Sequence, residues 1–375
     1  MKIRAAVLRE MNLPQPYASS MPLSIEEVEL SPPGPGEVMI RVRAAGLCHS
    51  DLSVINGDRP RPLPMALGHE AAGTVEMLGE GVSDLALGDH VVMVFVPSCG
   101  HCPTCAEGRP ALCEPGAVAN GAGTLLSGGR RIQGDNGLIN HHLGCSAFAE
   151  YATVSRRSLV KVDADLPFEH AALFGCAVLT GVGAVVNTGR VQAGSSVAVI
   201  GLGGVGLAAV LGARAAGARD IIAIDLSPEK RALALELGAT EVFDGADPNC
   251  VEAVRAASKG GLETVFEMAG SIRAFETAYR ITRRGGTTIT AGLPPPTASF
   301  ALPMVNLVAE ERTVKGSYIG TCVPVRDLPR YITLFKRGRL PVDRLMSGTL
   351  ALDDINEGFD RLASGAAVRQ IVKFD

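Results

Sequence analysis

At 375 residues the chain is long for one hydrophobic core and suits two domains. With 47% hydrophobic and 20% charged residues it reads as an ordinary globular protein, which excludes a disordered or fibrous chain. A formal net charge of -4 and the lack of any basic block argue against nucleic acid and anionic membranes as partners.

The run Met1-Lys2-Ile3-Arg4-Ala5-Ala6-Val7-Leu8-Arg9-Glu10 reads as a strand and lacks the apolar core and cleavage site of a signal peptide. No stretch reads as the roughly 18 uncharged apolar residues that cross a bilayer, so a cytoplasmic location is expected. The first third continues in short alternating runs: Val38 to Ala44, Gly73 to Gly79 and His90 to Phe95. Turns such as Pro32-Pro33-Gly34-Pro35-Gly36 and Leu87-Gly88-Asp89 punctuate them, the grammar of a compact, mostly β domain.

Within this part lies Ala45-Gly46-Leu47-Cys48-His49-Ser50-Asp51, then Gly68-His69-Glu70, and far downstream Gly175-Cys176. Cys48, His69 and Cys176 would form a two-sulfur, one-nitrogen set that holds zinc and leaves its fourth position open. The sequence does not bring them together. Two buried apolar thiols and a core histidine would read the same.

Nine cysteines are present, four of them in one segment: Cys99, Cys102, Cys105 and Cys113, spaced C-x2-C-x2-C-x7-C. In a reducing compartment this spacing points to a closed structural zinc site, with an iron-sulfur cluster as the competing reading. His101, between two ligands, is expected to be solvated. The segment from Glu114 to Asn140 is rich in glycine with little periodicity, and is expected to be a long functional loop.

From about Ala193 the pattern becomes β-α-β. Ser196 to Ile200 is a buried-strand run, Gly201-Leu202-Gly203-Gly204-Val205-Gly206 follows, and an alanine-rich helix runs to Ala216. Asp220 to Asp225 is the next strand, Ser227 to Leu237 a helix stopped by Gly238. Thr264 to Glu267 and Thr287 to Thr290 are further strands. The fold class is therefore α/β with a parallel, doubly wound sheet. Gly201, Gly203 and Gly206 fit the dinucleotide fingerprint: a tight turn, close approach to pyrophosphate, and helix packing on strand. Asp225, 19 residues after Gly206, stands where a carboxylate accepts bonds from the adenosine ribose and repels a 2'-phosphate, favouring NAD. It could equally cap the helix that follows.

Together, Gly-Leu-Cys-His-Ser-Asp, Leu67-Gly68-His69-Glu70-Ala71-Ala72-Gly73, the cysteine lobe, Gly175-Cys176 with Thr180-Gly181, the glycine turn and Val368-Arg369-Gln370-Ile371 resemble the zinc-containing medium-chain alcohol dehydrogenases. The resemblance runs over nearly the whole length. It implies a Rossmann NAD-binding domain over residues 179-317, and a GroES-like, mostly β catalytic domain over 1-178 and 318-375. It further implies two zinc ions per chain, an alcohol or aldehyde as small-molecule substrate, and a homodimer.

Carried over by residue, the resemblance makes Cys48, His69 and Cys176 the catalytic zinc ligands and Cys99, Cys102, Cys105 and Cys113 the structural ones. Asp51 would orient His69, Glu70 would stand behind the metal, and Ser50 would bond the alcohol and pass on its proton. His49 and Arg369 would contact the pyrophosphate, Thr180 and Val205 the nicotinamide, Gly201, Gly203, Gly204 and Gly206 the turn, and Asp225 with Lys230 the ribose. Phe95, His142, Leu143, Leu293 and Tyr318 would line the substrate pocket, although His142 could equally be a surface histidine beside His141. Arg59 and Arg61 either reach toward the pocket mouth, favouring an anionic or extended substrate, or stand solvated. Ser53 occupies the place of a histidine that ends the proton relay in other members, so the relay is expected to end in water. The competing functions are a thiol-adduct formaldehyde dehydrogenase, against which Ala117 stands in place of an expected arginine, and a non-catalytic NAD-binding protein.

Overall fold

The alternation after residue 193 builds six parallel strands in the order Glu241–Asp244, Asp220–Asp225, Ser196–Ile200, Leu262–Glu267, Thr282–Thr290, Thr313–Gly316. This is the computed structural model of the chain and it describes all 375 residues. The strands divide the sequence around Ser196–Ile200, whose five residues are all buried, as expected where helices cover both faces. Helix Gly204–Ala215 packs its apolar residues inward. Helix Pro228–Leu237 starts at an N-cap serine, Ser227, whose hydroxyl accepts from the Lys230 N–H at 3.2 Å, and stops at Gly238 in the left-handed region.

Two units emerge, one comprising Met1–Cys176, Val323–Pro329 and Met346–Asp375, the other Ala177–Cys322 and Arg330–Leu345. The expected single return at 318 is thus replaced by returns at 323 and 346. Residues 330–345 belong with the parallel sheet for physical reasons. Leu340, Val342 and Leu345 are buried, the Asn187 amide lies 3.4 Å from the Tyr331 hydroxyl, and Arg344 pairs with Glu236 at 2.5 Å.

The first unit is mostly β. A five-stranded closed barrel contains Lys2–Leu8 and Leu23–Leu30, and a second sheet is built on Glu37–Gly46. That central strand pairs antiparallel with Glu70–Leu78, Tyr151–Ser155 and Arg369–Lys373. Its register sets Gly46 opposite Glu70 on one side and Ile371 on the other. Cys48, His69, Glu70 and Arg369 are therefore brought together by three strand ends.

Two expectations are corrected. The segment Glu114 to Asn140 is not a loop: it holds helix Glu114–Ala122 and a hairpin of Ile132–Gly134 with Gly137–His141. The helix begins with an acid and a proline in its first turn and ends at Gly123 in the left-handed region, which are ordinary start and stop signals. Second, residues Phe168–Thr188 form a helix of 21 residues that is long and apolar enough to cross a membrane, yet 89% of its apolar window is buried inside the protein. It is a core helix, interrupted by π-type turns at Phe174–Val178 and Ala184–Thr188.

Candidate metal centres and dinucleotide turn

Cys48 ends an extended stretch (φ -130°, ψ 150°) and stands immediately before the short helix His49–Ile55, its side chain making no capping bond. His69 immediately precedes strand Glu70–Leu78. Cys176 lies in the first π-type turn, a feature frequent at functional sites. Gly175 permits that approach, since a Cβ there would lie 2.3 Å from the Met93 carbonyl oxygen. The two sulfurs and an imidazole nitrogen all lie within 4.8 Å of one another, and all three residues are buried. His69 Nδ1 stands 3.1 Å from Asp51, while its Nε2 is buried with no protein partner. An orphaned imidazole nitrogen facing two thiols fits a borderline-soft ion such as zinc.

The electrostatics agree. The Cys176 thiol, with Arg369 and His69 nearby, holds Cys48 well below the usual thiol range, so its thiolate forms readily while Cys176 is pushed up. Burial alone would lower His69, but the Asp51 carboxylate and Cys48 outweigh it. Asp51 sits in the first turn of His49–Ile55, where it also accepts the Gly68 N–H at 3.1 Å.

Glu70 is wholly buried, neither of its oxygens has a hydrogen-bond partner, and burial raises its carboxyl to about 7 against the pull of Arg369. Arg369 is 2% exposed and donates to the Leu47 carbonyl at 3.0 Å. Ser50 is partly exposed and His49 exposed. The Ser53 hydroxyl is engaged by the His49 carbonyl at 2.8 Å.

The four-cysteine lobe closes as its spacing predicts, with all four sulfurs within 4.8 Å of one another. Cys102 and Cys113 sulfurs are 4.0 Å apart, close to the about 3.8 Å that a tetrahedron with roughly 2.3 Å Zn–S bonds requires. Backbone N–H groups of Cys99 and Gly116 donate to Cys113 Sγ at 3.1 and 3.4 Å, and that of Cys102 to Cys99 Sγ at 3.2 Å. Such donors stabilise thiolates. Cys113 also caps helix Glu114–Ala122. His101 is exposed and lies against the Cys99 carbonyl.

Around His69 stand Phe95, ring centroid at 5.2 Å, and His142 at 5.5 Å, both buried, with Leu143 also buried. His142 is therefore no surface histidine. Leu293 (53% exposed) and Tyr318 (38%) belong to the other unit. Arg61 is half-buried: one terminal nitrogen reaches the Asn120 carbonyl at 3.4 Å, and Nε is buried without a partner, so it is not simply solvated. Asn120, which sequence reasoning missed, donates to the Phe95 carbonyl at 2.9 Å from helix Glu114–Ala122.

In the second unit, Gly201 has φ +87°, which favours glycine, and a Cβ on Gly206 would meet the Gly201 carbonyl at 1.8 Å. A Cβ on Gly203 would meet nothing within 4 Å, so that side of the turn is clear for a ligand at the N-terminus of Gly204–Ala215. Asp225 accepts from the Leu202 N–H at 2.6 Å and the Ser227 N–H at 2.9 Å. Ser227, not Asp225, is the helix cap. Thr180 is buried, while Val205 and Lys230 are partly exposed.

Comparisons with known proteins agree with this geometry. Residues 34–164 match the sequence model of the alcohol dehydrogenase GroES-like domain, and residues 204–337 that of the zinc-binding dehydrogenases. A solved alcohol dehydrogenase zinc-binding domain protein from Burkholderia ambifaria is 35% identical, with a TM-score of 0.94 over 100% of this chain and 99% of that one. Benzyl alcohol dehydrogenase from Acinetobacter calcoaceticus is 30% identical, with a TM-score of 0.93 over all of both chains. A putative zinc-binding dehydrogenase from Sinorhizobium meliloti, bound to NADP, is 28% identical, with a TM-score of 0.79 over all of both.

Proposed function

The chain belongs to the zinc-containing medium-chain alcohol dehydrogenase family, and from that premise we propose that it reversibly oxidises a primary or secondary alcohol to an aldehyde or ketone, with NAD as hydride acceptor. The observation that carries this reading is the meeting of Cys48, His69 and Cys176 around an otherwise unpartnered His69 Nε2. Zinc on those ligands would supply Lewis acidity to a hydroxyl or carbonyl oxygen, and the nicotinamide would supply the redox chemistry.

The chain's own residues have the remaining work. Asp51 fixes the tautomer and orientation of His69. Ser50 would bond the substrate hydroxyl and pass its proton to water, because Ser53, whose hydroxyl donates to the His49 carbonyl, is no base near neutral pH. Phe95 and Leu143 would exclude water from the reacting atoms. The glycine turn and helix Gly204–Ala215 would receive the pyrophosphate. Thr180 and Val205 would flank the nicotinamide. Asp225, with Lys230, would bind the ribose and disfavour a 2'-phosphate. The four-cysteine lobe would hold the second, structural zinc.

A homodimer is supported by the second unit: edge strand Thr313–Gly316 is wholly exposed, near Met304, Val305 and Val308 at 68%, 70% and 79% exposure. Nine cysteines, none paired in a disulfide, suit a cytoplasmic setting.

The deciding experiment is a panel of primary, secondary and aromatic alcohols with NAD and NADP, run with and without a chelator. Metal-dependent oxidation with NAD is expected. Turnover confined to formaldehyde plus glutathione would favour the thiol-adduct activity, and no turnover a binding protein.

A further inference from the structure

We propose that His142 is a positioning residue for the metal ligand His69, acting through the carboxylate that the two imidazoles share. The inference rests on the zinc reading above and deepens it. His142 Nδ1 lies 3.0 Å from Asp51 Oδ1, an ion-pair contact rather than an aligned hydrogen bond, and no other polar group partners it. The same oxygen lies 3.1 Å from His69 Nδ1 and accepts the Gly68 N–H at 3.1 Å. All three side chains are buried, Asp51 and His69 completely and His142 to 1% exposure. The two rings stand nearly perpendicular, at 89°. Both imidazoles and a backbone amide thus converge on one oxygen of the carboxylate.

A desolvated carboxylate needs donors, and every donor it loses leaves it freer to turn about its own bond. Turning Asp51 moves the anchor of His69 Nδ1 and with it the direction of Nε2. His142 is itself rigidly mounted. Its N–H donates to the Ser146 hydroxyl at 3.0 Å, and the Cys145 N–H returns to its carbonyl at 3.0 Å. Leu143 between them has φ +52°, a left-handed conformation that a leucine adopts only where surrounding structure requires it. A ring so placed against Asp51 does more than fill the wall beside His69. A phenyl group could fill the same volume and would give Asp51 nothing.

The test uses the full-length, zinc-loaded protein and three variants, H142F, H142N and D51N. The rate at which a chelator removes each zinc is followed, together with the visible spectrum after cobalt replaces the three-ligand zinc, and kcat and KM. For H142F the three-ligand zinc should leave about tenfold faster, the low end of the roughly 10–100-fold cost of losing an outer partner, while H142N, whose amide nitrogen takes the place of Nδ1 and can still donate, stays within about twofold of wild type. The cobalt bands should shift in H142F, kcat should fall more than KM rises, and the four-cysteine zinc should be unaffected. D51N combined with H142F should be no worse than D51N alone, because both act on one ligand. If phenylalanine overpacks the site, H142M carries the same expectation. Wild-type zinc loss and an unmoved cobalt spectrum in H142F, or full additivity with D51N, would overturn the inference while leaving the dehydrogenase reading intact. A wild-type chain that never loads the three-ligand site would overturn both.

Discussion

The Arg369 guanidinium stands 3.9 Å from the Glu70 carboxylate, and the two side chains are 3% and 0% exposed. Removing the cation leaves a buried acid and the Leu47 carbonyl without their partner, which should cost about 3 kcal/mol. Removing the acid leaves Arg369 beside Cys48 and Cys176, which also attract it. Glu70 itself, raised to about 7 by burial, is only partly ionised at neutral pH. Arg369→Met should therefore lower the urea midpoint more than Glu70→Gln. The reverse order would show that the pair does not act in this way.

Each cysteine set predicts one metal ion. Elemental analysis of the purified chain should find two zinc ions, and Cys176→Ser should keep one, lose turnover and retain the wild-type circular dichroism spectrum. A variant that still holds two would remove Cys176 from the coordination sphere.

Asp225 touches the glycine turn through the Leu202 N–H as well as standing where the ribose is expected. Its charge-assisted bonds are worth roughly 1.5–3 kcal/mol, so Asp225→Gly should shrink the ratio of NAD to NADP efficiency by about tenfold or more. An unchanged ratio of kcat/KM values would reduce Asp225 to a support for the turn.

Glu37 carries a testable pH dependence. Burial works to raise its carboxyl, but the Arg131 guanidinium at 2.7 Å, the Ser127 hydroxyl at 2.6 Å and the Gly34 N–H at 2.8 Å together hold it below the ordinary 4.5. A carboxyl lowered on folding stabilises above its unfolded pKa, and that stability disappears as pH falls through the folded value. Glu37→Gln should therefore reduce the thermal midpoint at pH 7 and flatten its decline below pH 4.5. Parallel melting curves for the two proteins across that range would refute the linkage.

Much of this was legible where the chemistry is local. The cysteine lobe and the glycine turn each draw their residues from one short stretch, so spacing alone carries geometry. Cys48, His69 and Cys176 lie on separate elements, and only resemblance could join them before the strand register did. Helix Glu114–Ala122 escaped notice because glycine count masked the proline and acid that start it. The apolar run of Phe168–Thr188 hid its length behind glycines that the core helix tolerates. The partnership of His142 with Asp51 had no sequence signal at all, since it depends on the turn from His142 to Ser146 that follows the barrel hairpin.

Cys113 belongs to two structures at once, closing the four-sulfur cluster and starting the helix from which Asn120 grips the Phe95 carbonyl. Phe95 in turn lies edge-on to His69. The distal cluster is thereby a keystone for the reacting end of the molecule. Slackening it would loosen a hydrophobic panel beside an imidazole to which it has no bond of its own.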